Sequence, residues 1–116
     1  MPVAVAERLG ADLSSARRAA RGGDVDAAWS LLEEAHVLSQ PWAWPHIKVH
    51  AAMLALGWRT RDRREVQGQL LRLVVAGSGS LSGRYPEGNS GRASVPATQP
   101  MPVPENLRVL LEVRDG

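Results

Sequence analysis

An all-helical fold is the expectation for this 116-residue chain, and three observations carry it. The apolar residues, 44% of the total, are mainly Leu, Val and Ala, with four tryptophans and no phenylalanine, a vocabulary that favours packed helices over strands. They recur at three- and four-residue spacing in successive stretches, which lines them along one side of a helix. Short breaks containing Gly, Pro or Asp divide those stretches, as expected where one helix stops and the next is capped. The predicted architecture is a small four-helix bundle or two stacked helical hairpins, with a long Gly/Pro/Ser-rich C-terminal loop and a short last helix.

The first helix is expected over 3–21, where Leu9, Leu13, Ala16 and Ala20 form the apolar stripe. Gly22 and Gly23 stop it, and Asp24 caps a second helix over 25–38 that carries Val25, Ala28, Trp29, Leu32 and His36 on one side. Pro41 and the Trp42-Ala43-Trp44 corner precede a third helix over 45–59, with Pro45 in the first turn, where its missing N–H costs nothing. Asp62 caps a fourth helix over 63–75, with Val66, Leu70, Leu73 and Val74 expected to face inward. Residues 1–76 are thus a helical core and 77–103 a loop. Tyr85, Val95, Met101 and Val103 punctuate that loop and argue that it wraps over the core. Residues 104–116 hold the last helix, with Leu107, Leu110 and Leu111 docking it, and all three parts form one domain.

Composition excludes several classes of function. With no cysteine there is no disulfide, thiolate metal site, iron–sulfur cluster or covalent haem. Fourteen basic against twelve acidic residues leave a net charge of +2, and the basic run from Arg59 to Arg64 is broken by Asp62 and has no interleaved aromatics, so nucleic acid is not expected as a partner. No run is long and apolar enough for a membrane span, and Glu7 interrupts the N-terminus before a signal sequence can form; a cytoplasmic protein is expected.

All three histidines fall between Glu33 and Gly57. On a wheel of about 100° per residue with His46 at zero, His50 falls near 40°, Met53 near 340° and Gly57 near 20°, while Lys48 and Arg59 fall near 200° and 220°. His46 and His50 therefore point inward. Burying two imidazoles together is costly unless each nitrogen finds a partner. A divalent ion satisfies both at about 2.0 to 2.1 Å, and His36 across the turn is the natural third ligand. Glu65 is the candidate fourth ligand; Glu33, Met53 and Gln69 are alternatives or groups that orient an imidazole from behind. The competing reading makes these core histidines, bonded to carbonyls, hydroxyls or each other, or a pH-responsive packing site or a noncovalent haem ligand set.

Two other features have ordinary structural explanations beside their functional ones. Gly88-Asn89-Ser90-Gly91 has the composition of an anion-binding turn but lacks a P-loop lysine, so a structural turn is the favoured reading and an anion-binding turn the alternative. Trp29 and Trp58 stand at core spacing, leaving Trp42 and Trp44 as candidate exposed contacts. No nucleophile and base stand in a recognisable arrangement.

The stretch ARRAARGGDVDAAWSLLEEAHVLS resembles a single helix-turn-helix unit of a tetratricopeptide repeat in length and alanine placement, though without further copies. Over residues 10–111 the chain also resembles a bacterial domain-of-unknown-function family of short helical proteins. The residues carrying that likeness are Ala35-His36-Val37-Leu38-Ser39-Gln40, His46 with His50 and Met53, Glu65 with Gln69-Leu70-Leu71-Arg72-Leu73, Pro86 with Gly88-Asn89-Ser90-Gly91, and Met101-Pro102-Val103-Pro104. The resemblance implies a single helical domain whose histidines, Glu65 and GNSG turn act together, and it supplies no activity.

The expected function is transition-metal binding, zinc foremost, through His36, His46, His50 and Glu65, for sequestration, delivery or sensing. The rival is a helical protein-interaction module or homodimer with structural histidines; a small metal-dependent hydrolase using Glu65 is the third reading.

Overall fold

Capping divides the chain much as its punctuation implies. A computed structural model describes residues 1–81 and 101–112, with side chains for 1–73 and 101–112. It contains α1 (Val3–Arg21), α2 (Val25–Ser39), α3 (Ala43–Arg59), α4 (Arg63–Leu81) and α5 (Glu105–Glu112), and no strand among the described residues. The 77–103 segment is helical at its start, since α4 runs through Gly77, Ser78, Gly79 and Ser80 to Leu81, beyond the expected end at Val75. The GNSG turn at 88–91, Tyr85 and Val95 lie outside the described residues.

Two left-handed residues make the tight turns. Gly23 (φ 82°) closes α1, with its N–H donating to the Ala20 carbonyl and that of Asp24 to Ala19. The Asp24 carboxylate then accepts from the Ala27 N–H at 3.1 Å and caps α2. Arg61 (φ 58°) repeats the device after α3, where the Asp62 N–H reaches the Gly57 carbonyl and the Asp62 carboxylate accepts from the Glu65 N–H at 3.2 Å. Between α2 and α3 the extended Trp42 precedes Ala43, so α3 starts two residues earlier than Pro45 marks. Pro45 still lies in the first turn, where its N–H has no intrahelical partner.

The helices form two stacked hairpins. α1 packs along α2 and α3 along α4, α2 joins the pairs by lying against α3, and α1 and α4 do not meet among the described residues. One core cluster holds Leu9, Ala16, Ala28, Trp29, Leu32, Ala35, Val49, Met53 and Leu56. A second holds Val5, Val37, Leu38 and Leu107, with Trp42, Val103, Leu110 and Leu111 against it. The last helix is therefore docked by the leucines expected to dock it. At 25 cal/mol per Å2 of apolar surface, a fully buried Leu such as Leu38 or Leu107 contributes about 2 to 3 kcal/mol.

Two expectations fail in ways that matter for the site. Trp58 is 74% exposed, not core, because the buried arc of α3 is centred on Met53 and stops short of that flank. On α4 the inward stripe is Glu65, Gln69 and Arg72, all buried, whereas Leu70 is 53% and Leu71 65% exposed. The buried face of α4 is the polar one, because its partners are polar.

Arg8 ties α1 to α2, reaching Asp12 at 3.2 Å and Glu34 at 3.0 Å. Asp12 is nevertheless 4% exposed with its Oδ2 lacking any hydrogen-bond partner. Burial, then the nearby Glu34 carboxylate, pushes it up to about 6. A carboxyl whose folded pKa lies above the unfolded value favours folding only while protonated, so stability falls as pH rises from about 4 to about 6. Asp12→Asn is therefore expected to stabilise the protein at pH 7.5 by on the order of 1 to 2 kcal/mol, with no gain at pH 4. Urea unfolding at the two pH values checks it, and a variant no more stable than wild type at pH 7.5 refutes it.

Candidate metal centre

A cluster of buried polar side chains gathers between α2, α3 and α4. His36 comes from α2, His46 and His50 from one face of α3, and Glu65, Gln69 and Arg72 from successive turns of α4. All six are buried. The spacing of His46 and His50 puts both rings on the side of α3 facing α2 and α4, and Gly57 lets the helices close. A Cβ on Gly57 would stand 3.1 Å from that of Glu65, so this glycine sets how near α4 approaches the histidines.

The three rings turn their Nε2 atoms toward one another. His36 Nε2 lies 3.0 Å from His46 Nε2 and 3.0 Å from His50 Nε2. Ring centroids are 4.7 to 4.9 Å apart, with no stacked pair. One ligand nitrogen from each residue falls within a 4.8 Å group, the arrangement needed to hold a metal ion.

A chain of side chains behind His50 sets its proton. The Gln69 amide donates from Nε2 to Glu65 Oε2 at 3.1 Å, which turns its Oε1 toward His50 Nδ1 at 2.6 Å. An amide oxygen only accepts, so His50 Nδ1 carries the hydrogen and Nε2 of the neutral ring presents its lone pair to the cluster. His36 Nε2 has at most one hydrogen for two neighbours equally near. Either that proton is shared along bent paths, or one of the two contacts is left without a proper hydrogen bond; a cation at the convergence point satisfies all three nitrogens.

Electrostatics keep His46 and His50 neutral. Burial, then the His50 ring, pulls His46 down to about 3. Burial lowers His50 as well, with Gln69 opposing and the Arg72 charge assisting. Burial also lowers Arg72, and the Glu65 carboxylate pulls it back up. Neutral imidazole is the form that binds metal.

Of the residues singled out in the sequence, His36, His46 and His50 meet directly. Glu65 is bonded to Gln69, and Gln69 in turn meets the His50 ring. Met53 is fully buried in the core on the histidine face of α3, and Glu33 is half-buried one turn before His36; neither belongs to the three-histidine group. Arg72 is the site residue that sequence reasoning missed. Its signal was available, since Glu65, Gln69 and Arg72 recur at four and three residues and share one helical face.

Fold and site together define a small all-α protein built around a buried three-histidine cluster. The chain belongs to the family described as protein of unknown function (DUF3703), whose model matches residues 3–111. No curated protein and no solved structure matches it.

Proposed function

We propose that this protein binds a transition metal ion, zinc foremost, through Nε2 of His36, His46 and His50, for sequestration, delivery or sensing. The observation that carries the reading is the pair of 3.0 Å Nε2 separations centred on His36. Two imidazoles bound to one ion at about 2.0 to 2.1 Å, at angles between a right angle and a tetrahedral one, stand roughly 2.9 to 3.4 Å apart. The Gln69 and Glu65 side chains supply the support such ligands need, a fixed tautomer with a carboxylate behind it. Zinc, copper and nickel all suit imidazole donors, and the ion contributes charge and coordination only. Haem fits poorly, because nitrogens on opposite axial positions of one iron stand about 4 Å apart. Glu65 is engaged by Gln69, which makes it an orienting group in preference to a base acting on water.

Elemental analysis and zinc-dependent melting of the purified protein test the reading against His46→Ala and His50→Ala. The expected result is one metal per chain in the wild type and none in either variant. Absence of metal together with no thermal shift on adding Zn²⁺, Ni²⁺ or Cu²⁺ sinks it.

A further inference from the structure

We propose that the groove between α1 and α3 is a docking site for an amphipathic α-helix of a partner protein, one that carries acidic residues beside its apolar stripe. α1 and α3 lie side by side over α2 and leave two hollows between them, of about 300 Å3 and 240 Å3. Both hollows touch Leu13 and Lys48, so they join end to end. The floor is Leu32 of α2, with Leu9, Leu13, Ala16 and Ala20 from α1 and Ala52 and Leu56 from α3. From Trp44 at one end to Arg59 at the other, α3 rises about 22 Å, four turns of helix. Small residues along both walls let a third helix approach to about 8 to 10 Å, the spacing of packed helices.

Charge chooses the occupant. The charged residues lining the groove are Arg17, Lys48 and Arg59, all exposed and all cationic. None makes an ion pair among the described residues, whereas the neighbouring Arg8 is held by two carboxylates. An apolar floor edged by three uncompensated cations complements a helix whose apolar stripe is flanked by Glu or Asp. A second copy of this chain packed groove to groove would set these cations against one another. An acyl chain with a carboxylate matches the charge, but the half-open trough would leave one side of it in water, while a helix brings its own polar face to cover that side. The groove lies on the face of α3 that carries Lys48 and Arg59, away from the histidines, so its occupancy is independent of the metal reading.

The probe is a designed, fluorophore-labelled helix of about 18 residues with Leu at three- and four-residue spacing flanked by Glu, beside the same peptide with Lys for Glu. Both are titrated by fluorescence anisotropy at low salt into the full chain and into the triple variant Arg17→Glu, Lys48→Glu, Arg59→Glu. These positions are exposed, so circular dichroism should report an unchanged fold; Ala55→Trp, which fills the groove without altering charge, serves as a second variant. The Glu peptide is expected to bind saturably and at least about tenfold tighter than the Lys peptide, with the preference lost in the triple variant and binding lost in Ala55→Trp. Equal affinity for the two peptides, no saturable binding of the Glu peptide, or binding unchanged in the variants overturns the proposal. Saturable dodecanoate binding with the same variant dependence, in the absence of peptide binding, overturns it in favour of an acyl ligand.

Discussion

Between pH 6.5 and 4.5 the metal-free protein is expected to lose roughly 2 kcal/mol of stability through His46 alone. An unfolded histidine takes up a proton near 6.5, but His46 in the folded state resists it until about 3, because burial and the His50 ring disfavour the cation. A base with a depressed folded pKa contributes stability that is present above the unfolded value and is lost as pH falls toward the folded one. His50 is shifted the same way and adds to the loss. Asp12 works in the opposite direction over about pH 6 to 4, so the measurement belongs in an Asp12→Asn background. There, urea unfolding of His46→Gln, whose amide does not titrate in this range, should show a distinctly shallower fall than the parent. Parallel profiles for the two would refute the account. Saturating zinc moves the fall to lower pH, since an ion at a thousandfold its dissociation constant adds about 4 kcal/mol until protons displace it.

This pH response follows from a site that the sequence exposes only in part. The wheel placed His46, His50 and Met53 inward because Lys48 and Arg59 mark the opposite side of α3 unambiguously, and all three are buried. Helix boundaries were legible for a similar reason: Gly23, Asp24 and Asp62 each perform a specific backbone task, and the structure shows them performing it. What misled was apolarity on α4. Val66, Leu70, Leu73 and Val74 look like the buried side of a helix under the rule that apolar residues go inside, yet Leu70 is largely exposed, Val66 and Leu73 are only half-buried, and the buried stripe is Glu65, Gln69 and Arg72. A buried polar face becomes favourable only once its partners are in place, and those partners come from α2 and α3. No local pattern in α4 contains them. Trp58 erred for the complementary reason, since its spacing suits a core but no helix among the described residues covers that flank. The unpaired cations of the α1–α3 groove are likewise a tertiary feature, because Arg17 and Lys48 are distant in sequence and are brought together only as linings of the same groove.

Gln69 offers the sharpest separation between a metal site and a merely polar core. Gln69→Leu removes the acceptor that holds His50 Nδ1–H and the donor that reaches Glu65, both in a buried setting. Each group left short of a partner costs about 1 to 3 kcal/mol, so the variant is expected to be clearly less stable. The metal effect is distinct: without the amide oxygen, the tautomer of His50 with hydrogen on Nε2 becomes accessible, and that hydrogen occupies the position a metal needs. Zinc affinity is expected to fall about 10- to 100-fold. Gln69→Glu divides the two effects. Its carboxylate still accepts from His50 Nδ1–H and preserves the metal-ready tautomer, but it stands where Gln69 now approaches Glu65 at 3.1 Å, and two carboxylates that close must share a proton. The Glu variant should therefore lose stability at neutral pH while keeping zinc affinity near that of the wild type; the Leu variant should lose both. Zinc titrations with a competing chelator, run beside urea unfolding, give the two quantities separately. If Gln69→Leu binds zinc as tightly as the wild type, the side chain is packing and not positioning, and the role assigned to the Glu65–Gln69–His50 chain fails.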